Sequence, residues 1–223
     1  MRQICRSIPL CGNEFNANVL PAIVRRLEHR IMRELSSILQ QAIDDSVATL
    51  QALRELDEPL RRAADTLTQC LADGHKLLVC GNGGSAAEAS HFATEFVVRF
   101  IKDRPAYPAI CLNADGGLLT AAGNDYGFDE VFSRQVAAFG QRGDVLICLT
   151  TSGKSPNIHR AVEEAKQRGV TTITLLGRAG GPMLGASDIE LIVRGESTAR
   201  IQEGQMLLLH VLCEAVEERL AAR

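Results

Sequence analysis

Five short apolar runs, most followed by a stretch of helical spacing, constrain this chain more than any other feature. They occupy residues 76–80, 109–112, 144–149, 171–176 and 189–193. The run at 144–149 is apolar almost throughout, as a strand covered on both faces must be. Helical spacing fills residues 85–100, 118–122, 135–139, 156–167 and 198–220. Alternation of this kind predicts an α/β fold: a five-stranded parallel sheet with helices on both faces, in three flavodoxin- or Rossmann-like layers. Ligands of such sheets sit outside the carboxyl ends of the strands.

Ahead of the first strand, Ile31, Leu35, Ile38, Ala42, Leu50 and Leu53 recur at helical spacing. A second helix is expected from Asp57 as N-cap, with Pro59 in the first turn and Gly74 as the stop. Residues 32–223 then read as a single domain with an N-terminal helical hairpin. Residues 1–31 carry charges and prolines throughout and read as a disordered extension.

The chain has 223 residues, 46% apolar and 23% charged, with a net charge of −3. That balance gives no electrostatic case for nucleic acid or a membrane surface as partner. No apolar run reaches the length of a membrane span. The seven cysteines form no CxxC pair, which fits a reducing cytoplasm. Cys80, Cys111 and Cys148 fall inside predicted strands and read as small buried apolar residues.

Two loops carry phosphate-binding character. Thr150, Thr151, Ser152, Gly153, Lys154, Ser155 and Pro156 follow a buried strand and open a helix. Ser155 suits an N-cap and Pro156 a first helical residue. The helix dipole and the hydroxyls favour a phosphate there, although an ordinary capped turn has the same residues. Gly81, Asn82, Gly83, Gly84 and Ser85 follow the first strand. The segment matches the dinucleotide fingerprint, but Asp103 and Asp115 are both poorly placed for its ribose-binding acid. A nicotinamide enzyme therefore stands as a rival to a sugar-binding turn. Asn124 and Asp125 read as a turn that could also bind sugar hydroxyls.

His91 and Glu95 are four residues apart and share one helix face. They could hold a metal, act as an acid/base pair, or simply hydrogen-bond on a solvated face. Glu88, on the same helix, reads as a solvated or subunit-facing charge. Gln202 and His210 are eight apart, about 12 Å along a helix. His210 lies in an apolar surround, so it is either a buried structural histidine or one tuned for proton transfer.

The segments CGNGGSAAEASHFATEF, RPAYPAI, GNDYGF, GDVLICLTTSGKSPNI and TARIQEGQMLLLH together resemble the sugar-isomerase (SIS) domain family. Within it the chain is most similar to the enzymes acting on sedoheptulose 7-phosphate. The resemblance covers nearly everything from Met32 to Leu220. It implies an aldose–ketose isomerase making D-glycero-D-manno-heptose 7-phosphate for heptose synthesis, as in lipopolysaccharide or nucleotide-linked heptose. It assigns Asn82, Gly83, Gly84, Ser85, Asn124, Asp125, Thr150, Thr151, Ser152, Ser155, Glu95 and Gln202 to the substrate. It assigns one zinc per subunit to His91, Glu95, Gln202 and His210, and acid/base chemistry to Glu95 and His210. It also implies a cytoplasmic homotetramer with sites between subunits. The alternatives are an SIS isomerase of another sugar phosphate, or a non-catalytic relative that binds a replication initiator. Those relatives lack the glutamate and histidine corresponding to Glu95 and His210.

Overall fold

The computed structural model describes the backbone of residues 19–222 and the side chains from Met32 onward. Of the expected extension at residues 1–31, residues 1–18 lie outside the described residues. The chain divides between Asp44 and Asp45 into two compact units. Helix α1 (Val19–Ala52) runs through this division. It starts twelve residues before the expected Ile31, because Pro21 falls in its first turn, where a missing N–H breaks no helical hydrogen bond. Met32, Leu35, Ile38, Leu39 and Ile43 are exposed along it.

In the second unit a 3-10 turn at Leu53–Leu56 leads into α2 (Asp57–Ala72). Asp57 is the first helical residue rather than the cap, and its carboxylate pairs with Arg61 one turn on. Then come β1 (Leu77–Gly81), α3 (Gly84–Val97), β2 (Ala109–Cys111), α4 (Gly116–Tyr126) and α5 (Ser133–Phe139). The rest is β3 (Val145–Thr150), α6 (Pro156–Arg168), β4 (Thr171–Gly177), β5 (Ile189–Val193) and α7 (Thr198–Ala221). No described helix is long and apolar enough to cross a membrane.

All strand pairs are parallel and the order is β2-β1-β3-β4-β5. The order reverses between β1 and β3, the place where doubly wound sheets open a ligand crevice. Side chains alternate across the sheet with period two. Val79, Ile147, Leu149, Leu175 and Leu191 face α2, α3 and α7. Leu78, Cys80, Leu146, Cys148 and Leu176 face the layer of α5 and α6. Each such buried aliphatic side chain stabilises the fold by about 1.5–3 kcal/mol. Asp144 is buried just before β3, where it accepts from the backbone N–H of Lys76 and Gln141 and from the Lys76 ammonium.

Candidate active site

The loops that follow β1 and β3 leave neighbouring strands at one level, since Gly81 is paired with Leu149 in the sheet register. The first is tight: a Cβ on Gly81 would lie 2.5 Å from the Ser85 carbonyl oxygen. The side-chain amide of Asn113 braces Gly81 from the β2 side, accepting from its N–H at 3.1 Å and donating to its carbonyl at 2.9 Å. On the other side Asn82 and Asn157 exchange two side-chain hydrogen bonds, at 2.8 and 3.0 Å. Gly83 and Gly84 are exposed, so the predicted sugar-facing backbone is open to solvent.

Ser85 is buried instead, and its hydroxyl hydrogen-bonds to Glu88. Glu88 is not the solvated charge expected from the sequence. It is 6% exposed and its Oε2 has no protein partner. Burial pushes its carboxyl up to about 7, the Ser85 hydroxyl opposing the shift.

In the hydroxyl loop, Thr150 Oγ1 accepts from the Gly153 N–H and Ser152 Oγ from the Lys154 N–H. Ser155 occupies the N-cap of α6 with Pro156 behind it, as predicted, but makes no side-chain capping bond. Thr151, Ser152 and Ser155 are half-buried, lining the carboxyl edge, while Thr150 is buried. Asn124 and Asp125 form the last turn of α4 rather than a free turn. Asn124 Nδ2 donates to Asp125 Oδ1 at 2.8 Å, and both are exposed. Asp115 caps α4 through the Leu118 N–H, a role that accounts for it without a ribose.

Helices α3 and α7 pack side by side. His91 Nε2 lies 3.0 Å from His210 Nε2 and 3.3 Å from Glu95 Oε1. One of the two facing ring nitrogens therefore carries hydrogen and the other accepts it. Phe100 stacks on the His210 ring with centroids 5.6 Å apart. The Gln202 amide rests against Gly84, so closely that a Cβ there would collide with it. The seven residues from Gly84 to His91 correspond to about 10 Å along α3.

A clamp missed by the sequence reading holds this helix pair. Glu217, on α7, accepts from the N–H groups of Phe100, Ile101 and Lys102 and from Arg104 Nε. Arg104 in turn donates to the carbonyls of Glu95 and Phe96 at the end of α3 and to that of its neighbour Pro105. Burial pushes the Glu217 carboxyl up, but its four donors outweigh burial and hold it below the usual value. The RPAYPAI segment carries Arg104, but nothing in the sequence points to Glu217 as its partner.

Histidine nitrogen and carboxylate oxygen are suitable zinc donors, and tetrahedral sites with bonds of about 2.1 Å space their ligands about 3.4 Å apart. The contact of His91 with Glu95, at 3.3 Å, is close to that spacing, and the contact with His210, at 3.0 Å, is shorter. Among the described residues, however, no three His, Cys, Asp or Glu side chains form a ready cage. No hydrogen bond between Glu95 and His210 closes the triangle. The donor set suits a metal by type and by the spacing of His91 and Glu95. Among the described residues, cysteines do not contribute: burial pushes the Cys70 thiol up to about 12 and raises Cys213 and Cys111 as well. Cys80, hydrogen-bonded to Cys148, is likewise raised.

The SIS domain family model matches residues 41–177. The phosphoheptose isomerase of Trichlorobacter lovleyi is 46% identical over 187 residues, covering 83% of this chain and 95% of the relative. The chain belongs to the phosphoheptose isomerase family of SIS-domain proteins. The phosphoheptose isomerase of Geobacter sulfurreducens is 48% identical over 186 residues, covering 80% and 98% of the two chains. The solved phosphoheptose isomerase of Neisseria gonorrhoeae superposes with a TM-score of 0.78 at 41% identity, covering 82% of this chain and 99% of that one. The Vibrio vulnificus NanR protein complexed with ManNAc-6P has a TM-score of 0.61 at 18% identity, covering 86% of this chain and 68% of that one. It shares the fold alone, so activity within the phosphoheptose isomerase family has to be argued from site residues.

Proposed function

We propose that the protein is an aldose–ketose isomerase that interconverts sedoheptulose 7-phosphate and D-glycero-D-manno-heptose 7-phosphate, feeding heptose synthesis. The observation that carries this reading is the separation of two polar sites. The glycine turn and hydroxyl loop stand at one end of the α3–α7 pair, and His91, Glu95 and His210 meet about 10 Å along it. A heptose 7-phosphate has that layout: its phosphate is on carbon 7 and its reacting carbons, 1 and 2, are at the far end.

In this reading the cradle of Asn82, Gly83, Gly84, Thr151, Ser152 and Ser155 binds the phosphate and holds the sugar for reaction. The Glu95 carboxylate removes a proton from C1 of the ketose. His210 gives a proton to the C2 oxygen, yielding the enediol, and accepts the proton of the C1 oxygen as the aldehyde forms. Glu95 then returns its proton to C2. No atom is gained or lost. Arg104 fixes the backbone of Glu95, and Phe100 fixes the plane of the His210 ring and screens one face from water. His91, Glu95, Gln202 and His210 would hold a zinc, which would supply Lewis-acid stabilisation of negative oxygen.

The exposed apolar residues of α1 support a homotetramer with sites between subunits, since such a stripe is unfavourable in water. Leu35→Glu combined with Ile38→Glu is expected to lower the mass seen by sedimentation equilibrium. The free thiols of Cys70, Cys80, Cys111, Cys148 and Cys213 support a reducing compartment, the cytoplasm. The deciding experiment incubates the purified protein with sedoheptulose 7-phosphate, with and without zinc, and follows heptose 7-phosphate by NMR. Absence of product under both conditions would reject the proposal.

A further inference from the structure

The loops after β1 and β3 are tied to each other by one pair of amides. Asn82 Nδ2 donates to Asn157 Oδ1 and Asn157 Nδ2 donates to Asn82 Oδ1, closing a ring of two hydrogen bonds between residues 75 apart. Asn157 is 1% exposed. Its Oδ1 also accepts from the N–H of Ile158 at 3.0 Å, which anchors the amide to the first turn of α6. An amide buried this deeply is costly unless its hydrogen bonds are made. Here they are made to the other loop, so burying Asn157 stabilises one particular spacing between the two. Asn82, with both partners in the ring, keeps only one N–H and one lone pair for a ligand.

We infer that Asn157 is a positioning residue: acting through Asn82, it holds the glycine turn and the hydroxyl loop at the spacing where both reach one phosphate group. The inference rests on the reading of these loops as a phosphate cradle. It separates Asn157 from the residues that touch substrate, and it makes the cradle a single unit built across two strands.

The test compares the full chain with Asn157→Leu, which keeps the branching of the side chain and removes both hydrogen bonds to Asn82, and with Asn157→Asp. Three quantities are read: KM and kcat for sedoheptulose 7-phosphate, the Kd of inorganic phosphate by calorimetry, and Tm. Asn157→Leu is expected to raise KM and phosphate Kd together by about tenfold, with kcat nearly unchanged. A merely structural role would lower Tm and leave KM and Kd alone, and that result overturns the inference.

Asn157→Asp sets a carboxylate against Asn82 Oδ1 at pH 8, so binding weakens. On acidification its protonated form donates to that oxygen and accepts from Asn82 Nδ2, restoring the ring. Its KM and Kd, taken as ratios to wild type at each pH, therefore fall back towards one by pH 5.5, while the ratios for Asn157→Leu stay flat. Should the leucine variant fail to fold, the aspartate variant decides alone, and ratios independent of pH overturn the inference. Wild-type protein that binds phosphate without turning over the sugar rejects the isomerase but still allows the Kd comparison to decide. Wild-type protein that binds neither phosphate nor sugar phosphate rejects the cradle, and the brace with it.

Discussion

His91 and His210 face each other, Nε2 to Nε2, at 3.0 Å across 119 residues of chain. The pairing follows from α3 and α7 starting at the same edge of the sheet and running side by side. Gln202 meets Gly84 near the start of both helices, and about two turns later His210 meets His91. The eight-residue gap between Gln202 and His210 is thus the distance between two ends of one groove.

Glu95→Gln keeps the shape of the side chain and removes its basicity. Turnover of sedoheptulose 7-phosphate should fall by about 10²–10⁴-fold. Calorimetric binding of inorganic phosphate should be unchanged, because the cradle lies elsewhere. Near-normal turnover in this variant would exclude Glu95 as the base.

Metal content can be read without any assay of activity. Protein purified with zinc should retain about one ion per subunit by mass spectrometry of the metal. His91→Ala and His210→Ala should each lose most of it, whereas His159→Ala should not. Equal zinc in all four proteins would mean that the ion sits elsewhere.

Arg104 and Glu217 form an ion pair at 2.9 Å with both side chains buried. Glu217→Leu leaves the guanidinium buried and unpaired, and should cost about 3–5 kcal/mol in urea unfolding. The folded-state pKa of Glu217 lies below the ordinary 4.5. Its contribution is therefore complete above the unfolded value and is lost as pH falls through the lower folded one. Wild type should lose more stability than Glu217→Gln between pH 5 and pH 3.

Glu88 has the opposite sign. Its folded pKa is raised from 4.5 to about 7, so the folded state keeps a proton that the unfolded state gives up. Stability falls as pH rises through that window. Glu88→Gln, neutral at every pH, should have a higher Tm than wild type at pH 8, with the difference fading towards pH 5. A gap that does not change with pH would place the effect in packing rather than charge.

The sheet was legible because each strand is an apolar run and each helix has its own period. The hydroxyl loop, the N-cap at Ser155 and the pairing of His91 with Glu95 could likewise be read from spacing along one element. What could not be read lies between elements. Asn157 looks like an unremarkable second residue of a helix until β1 and β3 are set side by side. Glu217 is one of several charges near the end of α7, and only the chain reversal at residues 98–104 brings three N–H groups to it. The start of α1 was misjudged because Pro21 and the surrounding charges are as compatible with a first helical turn as with a disordered lead.

The hydroxyl loop also touches a third loop. At Gly153 a Cβ would run into the Gly180 carbonyl, and at Gly181 into the Ser152 carbonyl. The two main chains are in direct contact, with no side chain between them to be resized. Anyone redesigning this protein for a different sugar phosphate would have to treat these glycines as fixed and randomise Lys154 or the exposed end of α4 instead. For sequence change, the segments after β3 and β4 make up one inheritable block.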